Sequence, residues 1–317
     1  MGSPLPSTPD LDFDARLGPG KSRLRLRREA RLWRSKRTRQ LAWYHPFRYI
    51  SLRRMVPTFL RTFGWWGRAQ KEFLDVRVVE NVVHLESLPP AFDGFRLLQV
   101  ADLHIDIDAR LVESVREAIG RAEFDLAVVT GDYHNEIGLD FDESMRLNGE
   151  LIPHYGTNPL GILGNHDRLA MVPPLESAGL RMLLNENVAI TRGEERIWIC
   201  GIDDNDVYRT HDYARARDGV PLDGCAILLA HSPERFREAA AAGYALQLSG
   251  HTHGGQICFP GGKAILRKAA VPGDLISGRW ERNGMPGYTS PGTGSCTAAA
   301  RLNCPPEVTV HVLRCAS

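Results

Sequence analysis

No apolar stretch in this sequence reaches the about 18 residues that a membrane-spanning helix needs, and no apolar core follows Met1 as in an export leader. A spanning helix and a cleaved signal are therefore not expected. The twin arginine Arg53-Arg54 is followed by Pro57 and Arg61, not by an apolar core, so it does not read as an export signal either. Cysteine is sparse. Cys200, Cys225, Cys258, Cys296, Cys304 and Cys315 show no Cys-x-x-Cys spacing, and a chain of 317 residues does not need disulfides. They are expected to be reduced and mostly buried, which suits a cytoplasmic protein, either free or on the cytoplasmic face of the inner membrane. Acid is almost missing from one region: residues 21–71 hold sixteen Lys and Arg against the single acid Glu29. The net charge of +1 thus hides an acidic remainder.

Three regions follow from composition. Residues 1–20, rich in Pro, Gly and Ser, read as a disordered tail. Residues 21–75 form a basic, aromatic segment, and residues 76–317 the body of the protein. From about residue 76 the pattern changes. "DVRVVENVVHLESLP" reads as a strand pair or a strand with a turn, and a recurring theme comes after it. Apolar runs at 95–104, 125–134, 159–167, 196–204, 225–233 and 246–255 each end in polar residue types that can bind metal. Most runs are continuous, as in strands buried on both faces. Residues 109–122 have helical spacing, and Ser232 is a candidate cap for a helix over 232–242. Alternating strands and helices indicate an α/β protein with its site beyond the carboxyl ends of the strands.

The polar ends, in order, are Asp102-x-His104, Gly131-Asp132, Gly164-Asn165-His166-Asp167, His231 and Gly250-His251-x-His253. Each segment alone is ordinary. Together they combine carboxylate, imidazole and amide oxygen, a donor set for divalent Mn, Fe, Zn or Co. The lack of thiolates in them argues against a structural zinc site.

The pattern DxH…GD…GNHD…H…GHxH resembles the calcineurin-like metallophosphoesterases, over roughly residues 76–313. "LSGHTHGGQI" and "RLNCPPEVTVHVL" look most like the envelope-associated bacterial phosphodiesterases, a branch that includes chlamydial-type UDP-2,3-diacylglucosamine pyrophosphatases. The resemblance implies a four-layer α/β/β/α sandwich of two mixed sheets with a dinuclear metal site at strand ends. It implies one divalent ion, most plausibly Mn, on Asp102, His104, Asp132 and His253, and a second on Asp132, Asn165, His231 and His251. It further implies a phosphohydrolase in which hydroxide held by both ions attacks a phosphodiester or pyrophosphate bond. His166 would face the phosphate, Asp167 would hold His166 in one tautomer, and the glycines after His253 would let backbone and substrate approach closely. One departure stands out: "GDYHN" puts Asn135 where the family has an aspartate that orients the first-block histidine. His134 reads as a solvated loop residue, Asp106 and Asp108 as loop or cap residues, and Arg168, Lys263, Arg267 and Lys268 as surface charge. Residues 203–224 and 258–290 are the candidates for a specificity cap.

The segment 21–71 interleaves its arginines with Trp33, Trp43, Tyr44, Phe47, Tyr49, Phe59, Phe63, Trp65 and Trp66. Such a segment could lie on an anionic membrane, bind nucleic acid, or coat the acidic body. A lipid-linked nucleotide substrate, as in lipid A synthesis, would favour the membrane. A nuclease or cyclic-nucleotide phosphodiesterase would favour nucleic acid, and a non-catalytic adaptor would make this arm the working part.

Overall fold

The computed structural model describes residues 12–41, 52–137, 140–265 and 271–316, with backbone alone at 35–41 and 52–54. The expected tail at 1–11 and the residues Trp43, Tyr44, Phe47, Tyr49, Arg267 and Lys268 lie outside the described residues.

In chain order the strands are β1 (Arg77–Leu85), β2 (Arg96–Val100), β3 (Leu126–Val129), β4 (Leu160–Gly161), β5 (Arg181–Met182) and β6 (Glu186–Arg192). They continue with β7 (Glu195–Gly201), β8 (Ala226–Leu229), β9 (Leu246–Ser249), β10 (Gly278–Arg282), β11 (Met285–Thr289) and β12 (Glu307–Cys315). Two six-stranded mixed sheets result, ordered β1-β12-β2-β3-β4-β5 and β10-β11-β9-β8-β7-β6. The α-helices are α1 (Phe13–Leu17), α2 (Lys21–Leu41), α3 (Leu52–Thr62), α4 (Trp66–Leu74), α5 (Leu111–Gly120), α6 (Asp142–Leu151), α7 (Val172–Ser177), α8 (Tyr213–Ala216) and α9 (Phe236–Ala241).

Strand alternation builds the layers. In β2, Leu98 and Val100 join the core under α5, α6 and α7, while Leu97 faces the other sheet. In β8, Ile227 and Leu229 meet that same inter-sheet core, and Ala226 and Leu228 pack beneath α8 and α9. Both faces of each central strand are thus covered, which is why the runs read as continuous. The result is the four-layer α/β/β/α sandwich.

Some local expectations change. Of the two readings of 75–89, a strand with a turn holds: residues 77–85 form one strand, parallel to β12 along its whole length, and a turn follows at 86–87. Ser232 does cap: its side chain accepts from the Glu234 N–H, but a short 3-10 turn precedes α9. Residues 12–20 are not a disordered tail. Leu17 is fully buried in the helix-side core, and Arg16 pairs with Glu176 and Glu186 at 3.0 and 2.9 Å. Within 258–290, residues 278–289 are not a cap loop, because β10 and β11 extend the second sheet through β9.

A buried polar chain crosses the inter-sheet layer. Nδ1 of His311 on β12 faces Asn81 Nδ2 at 2.8 Å, and its Nε2 faces Gln99 Oε1 at 2.9 Å. Gln99 in turn donates to Thr130 Oγ1 and to the Ser249 carbonyl. Nδ1 therefore accepts from Asn81, so the ring has to stay neutral, and burial pushes its pKa down to about 3. The unfolded chain takes up this proton first, near pH 6.5. The stabilisation is thus complete above that pH and is lost as pH falls toward the folded value. Between pH 7 and 5 the parent should lose about 2 kcal/mol more than His311→Gln, read from urea midpoints at both pH values. Equal losses in the two proteins would refute this role for His311.

Candidate metal centre

Asp102, His104, Asp132 and His253 come from three separate strand ends, and all are buried. One donor atom from each lies within 4.8 Å of the others, an arrangement that could hold a metal ion. His104 Nε2 and His253 Nε2 face each other at 3.1 Å, and Asp132 Oδ2 stands 3.5 Å from His104 Nε2. The same Asp132 oxygen stands 3.3 Å from His231 Nε2, on the side of a second group. There Asn165 Oδ1 lies 2.9 Å from His231 Nε2 and 2.8 Å from His251 Nδ1. Asp132 therefore sits between two clusters, and the structure brings all seven expected side chains together.

The backbone at these positions is unusual. Asp102, His104, Asp132, His251 and His253 all have positive φ, between 39° and 72°. Such angles turn each chain sharply as it leaves its strand, and for residues other than glycine they are costly and cluster at working sites.

Hydrogen bonds orient the rings. Nδ1 of His104 donates to the His134 carbonyl at 2.9 Å, and Nδ1 of His231 donates to the Thr130 carbonyl at 2.8 Å. Both rings thereby turn Nε2 toward Asp132, as a carbonyl behind a metal-binding histidine does. Burial depresses His104 to about 3 and His251 to about 4, keeping both imidazoles neutral and able to act as ligands. Burial, with Asp132 adding to it, raises Asp102 to about 7. His231 behaves differently: burial disfavours its cation, but the facing Asp132 carboxylate outweighs this and raises its pKa. Buried imidazoles around two crowded carboxylates form a donor set that a divalent cation satisfies.

Other predicted residues stand as follows. His166 lies beside the first cluster, its ring 4.7 Å from that of His104 between centroids. Its N–H donates to Asp132 Oδ1 at 2.8 Å, and its Nδ1 faces the Asn135 carbonyl at 2.6 Å. Asp167 does not supply that ring contact. Its carboxylate accepts the backbone N–H groups of Asp132, Tyr133 and Gly164 at 2.7, 2.9 and 2.7 Å. It therefore shapes the loops that carry Asp132 and Asn165, and the Asn135 carbonyl sets the histidine. The departure at Asn135 is answered similarly, because the His134 carbonyl orients His104. His134 itself is not solvated. It is 3% exposed, with Nδ1 3.1 Å from Asp106 Oδ2. Asp106 also accepts the Asn135 N–H, whereas Asp108 binds exposed Arg110.

Glycine is required before the histidine pair as well as after it. A Cβ on Gly250 would lie 2.5 Å from Asp102 Oδ2, so the residue before His251 must be bare for the carboxylate to fit. A Cβ on Gly254 would meet Cys304 Sγ at 2.8 Å and Pro291 Cβ at 2.9 Å, so the close approach expected after His253 is made there by the segment around Pro291.

Sequence reading missed the contribution of α2. Arg25 is wholly buried, its guanidinium 3.4 Å above the Tyr208 ring. Its Nε lies 3.4 Å from Glu29 Oε1 and 3.3 Å from Asp203 Oδ2, and its Nη2 donates to the Asp167 carbonyl at 3.0 Å. Glu29 accepts the Leu169 N–H at 2.9 Å. Arg25 and Glu29 thus hold both ends of the turn that follows Asn165 and His166. An arginine inside a run of arginines gives no sign of its burial; only its i,i+4 spacing from the region's lone acid could have marked it. This first half of the basic segment packs on the body. Arg168, expected as surface charge, is half-buried beside Glu29 at 3.9 Å, while Lys263 is exposed.

The family model described as Calcineurin-like phosphoesterase matches residues 95–255, which span every residue of the two clusters. An uncharacterised metallophosphoesterase of Aquifex aeolicus is 30% identical over 271 residues, covering 79% of this chain and 96% of that protein. The phosphodiesterase YaeI of Escherichia coli is 27% identical over 232 residues, covering 68% and 81% of the two chains. A zebrafish transmembrane protein with a metallophosphoesterase domain is 28% identical over 286 residues, 84% of this chain. The chain spans only 63% of that protein's length. With its strand ends, its buried Asp and His cluster and its matched residues in agreement, the chain belongs to the calcineurin-like phosphoesterase family.

Proposed function

We propose that the protein is a dinuclear-metal-dependent phosphohydrolase that cleaves a phosphodiester or pyrophosphate bond. The observation that carries this reading is the position of Asp132, with one carboxylate oxygen within 3.5 Å of imidazoles from both clusters. Asp102, His104, Asp132 and His253 would hold one ion, and Asp132, Asn165, His231 and His251 the other. Two divalent ions, Mn foremost, supply Lewis acidity toward phosphoryl oxygens and a nucleophile from water at neutral pH.

The chain's own residues do the rest. Asp102 and Asp132 bring the negative charge that attracts the cations, and the backbone carbonyls of His134 and Thr130 fix two of the imidazoles. His166 donates its ring proton toward the phosphoryl or leaving oxygen, with Nδ1 steadied by the Asn135 carbonyl. Asp167 keeps the Asp132 and Asn165 loops in register. Similarity to the phosphodiesterase of E. coli supports a diester, and the envelope-type motifs extend the proposal to a lipid-linked nucleotide such as UDP-2,3-diacylglucosamine.

Manganese-loaded protein should hydrolyse bis-p-nitrophenyl phosphate and release UMP from UDP-2,3-diacylglucosamine. Turnover of the model diester alone would keep the reaction class and remove the lipid substrate; turnover of neither would sink the proposal. His166→Gln should lower kcat roughly 10²- to 10⁴-fold, the usual worth of a proton donor. Its metal content, measured by emission spectrometry, should not change. Undiminished kcat would remove His166 from that role.

A further inference from the structure

The second half of the basic segment behaves differently from the first. The hairpin of α3 and α4 carries Met55, Phe59, Phe63 and Trp65 exposed at 43–55%, four large apolar side chains within eleven residues. The three rings contact one another, with centroids 4.8 Å apart for Phe59 and Phe63, 5.3 Å for Phe63 and Trp65, and 6.1 Å for Phe59 and Trp65. They form an apolar ridge open to solvent. The same stretch of sequence, 52 to 71, carries Arg53, Arg54, Arg61, Arg68 and Lys71 and no acid.

The hairpin is firmly seated. Leu60 is fully buried with Ala69 against Ile257, Ala298, Ala300 and Leu302. Arg61 lies over the Trp66 ring at 4.5 Å, and Arg68 donates to Asn303 Oδ1 at 2.6 Å. Ile257 lies four residues past His253, and the neighbouring Gln256 donates to the Ala298 and Ala300 carbonyls. The exposed ridge is therefore bound directly to the loop that bears His251 and His253.

We propose that this hairpin is a monotopic anchor that seats the Phe59–Phe63–Trp65 ridge in the interface of an anionic bilayer. Exposed aromatic side chains in a stretch rich in arginine and lysine suit that boundary, where rings sit at headgroup depth and cations meet anionic lipid. No described helix is long and apolar enough to cross a membrane, so the hairpin lies on the surface. Nucleic acid is disfavoured by the ring geometry. Stacking on bases needs open ring faces, yet Phe63 and Trp65 are stacked on each other at an interplanar angle of 27°. The anchor is independent of the reaction proposed above.

The full-length protein is sedimented with vesicles of phosphatidylcholine alone and of phosphatidylcholine with about 30% phosphatidylglycerol, at about 0.1 and 0.5 M salt. Binding should be at least about tenfold tighter to the anionic vesicles and should weaken at the higher salt. The combined variant Phe59→Ser, Phe63→Ser, Trp65→Ser should lose at least about tenfold in that binding. Because these side chains are exposed, its melting midpoint should match the parent's. Absence of vesicle binding by the parent, equal binding to neutral vesicles, or full binding by the folded variant would each overturn the proposal. Tight binding of a single-stranded oligonucleotide, lost in the variant and without vesicle binding, would reassign the ridge to nucleic acid.

Discussion

Asp132→Asn should abolish turnover almost completely. The substitution keeps the shape of the side chain and can still accept the His166 N–H at Oδ1, but it removes the negative charge shared by the two clusters. The amide nitrogen that replaces one carboxylate oxygen is not a ligand for a divalent ion. Loss of several kcal/mol of electrostatic stabilisation corresponds to a fall in kcat of roughly 10³- to 10⁴-fold. Bound metal should drop below two ions per chain, and the rise in melting temperature on adding Mn should shrink, since that rise reports binding to the folded state. Full turnover with two ions retained would refute the shared-ligand assignment.

Arg25→Met should be the most damaging change remote from the metal clusters. Methionine keeps much of the apolar stem but leaves Asp203 and Glu29 buried beside each other without their cation. Removing one partner of a buried ion pair costs about 3–5 kcal/mol. Burial, with Asp203 adding to it, already raises Glu29 against the pull of Arg25, so losing Arg25 should raise it further. The Asp167 carbonyl and the Leu169 N–H would lose their places together, and the turn after Asn165 and His166 would loosen. We therefore expect a fall in kcat as well as in stability. Arg25→Lys keeps the charge and should recover stability in part, but it cannot reach two carboxylates and a carbonyl at once. The check is urea denaturation of all three proteins beside kcat measured well below each unfolding midpoint. A variant that is destabilised yet turns over at the parent rate would leave Arg25 a structural role only.

The legible parts of this protein are those in which a local pattern and the tertiary arrangement agree. The runs ending at Asp102, Asp132, His231 and His251 are short, apolar and followed by polar residues, so strand and site could be read from the same ten residues. The chain terminus was not legible in that way. β12 inserts between β1 and β2, a pairing more than two hundred residues apart in sequence that no local signal announces. Charge misled most. Arg25 and Arg301 are both wholly buried, the latter donating to the carbonyls of Gly294, Pro291 and Cys304. Composition counts such residues as surface, because it records charge and not the acceptors that the fold places around it. His134 and Asp106 were undervalued for a related reason. Each gains its meaning only from the other, across 28 residues of chain.

The left-handed backbone at Asp102, His104, Asp132, His251 and His253 has a consequence for how this protein can change over generations. Glycine would adopt those angles freely, so at each of these positions the residue that best suits the local backbone differs from the one that can hold a cation. Selection for robustness alone would move the five positions toward glycine and empty the centre. On the function proposed above, Asp and His stand there for the cations they would hold, and the left-handed backbone is the local cost of placing them.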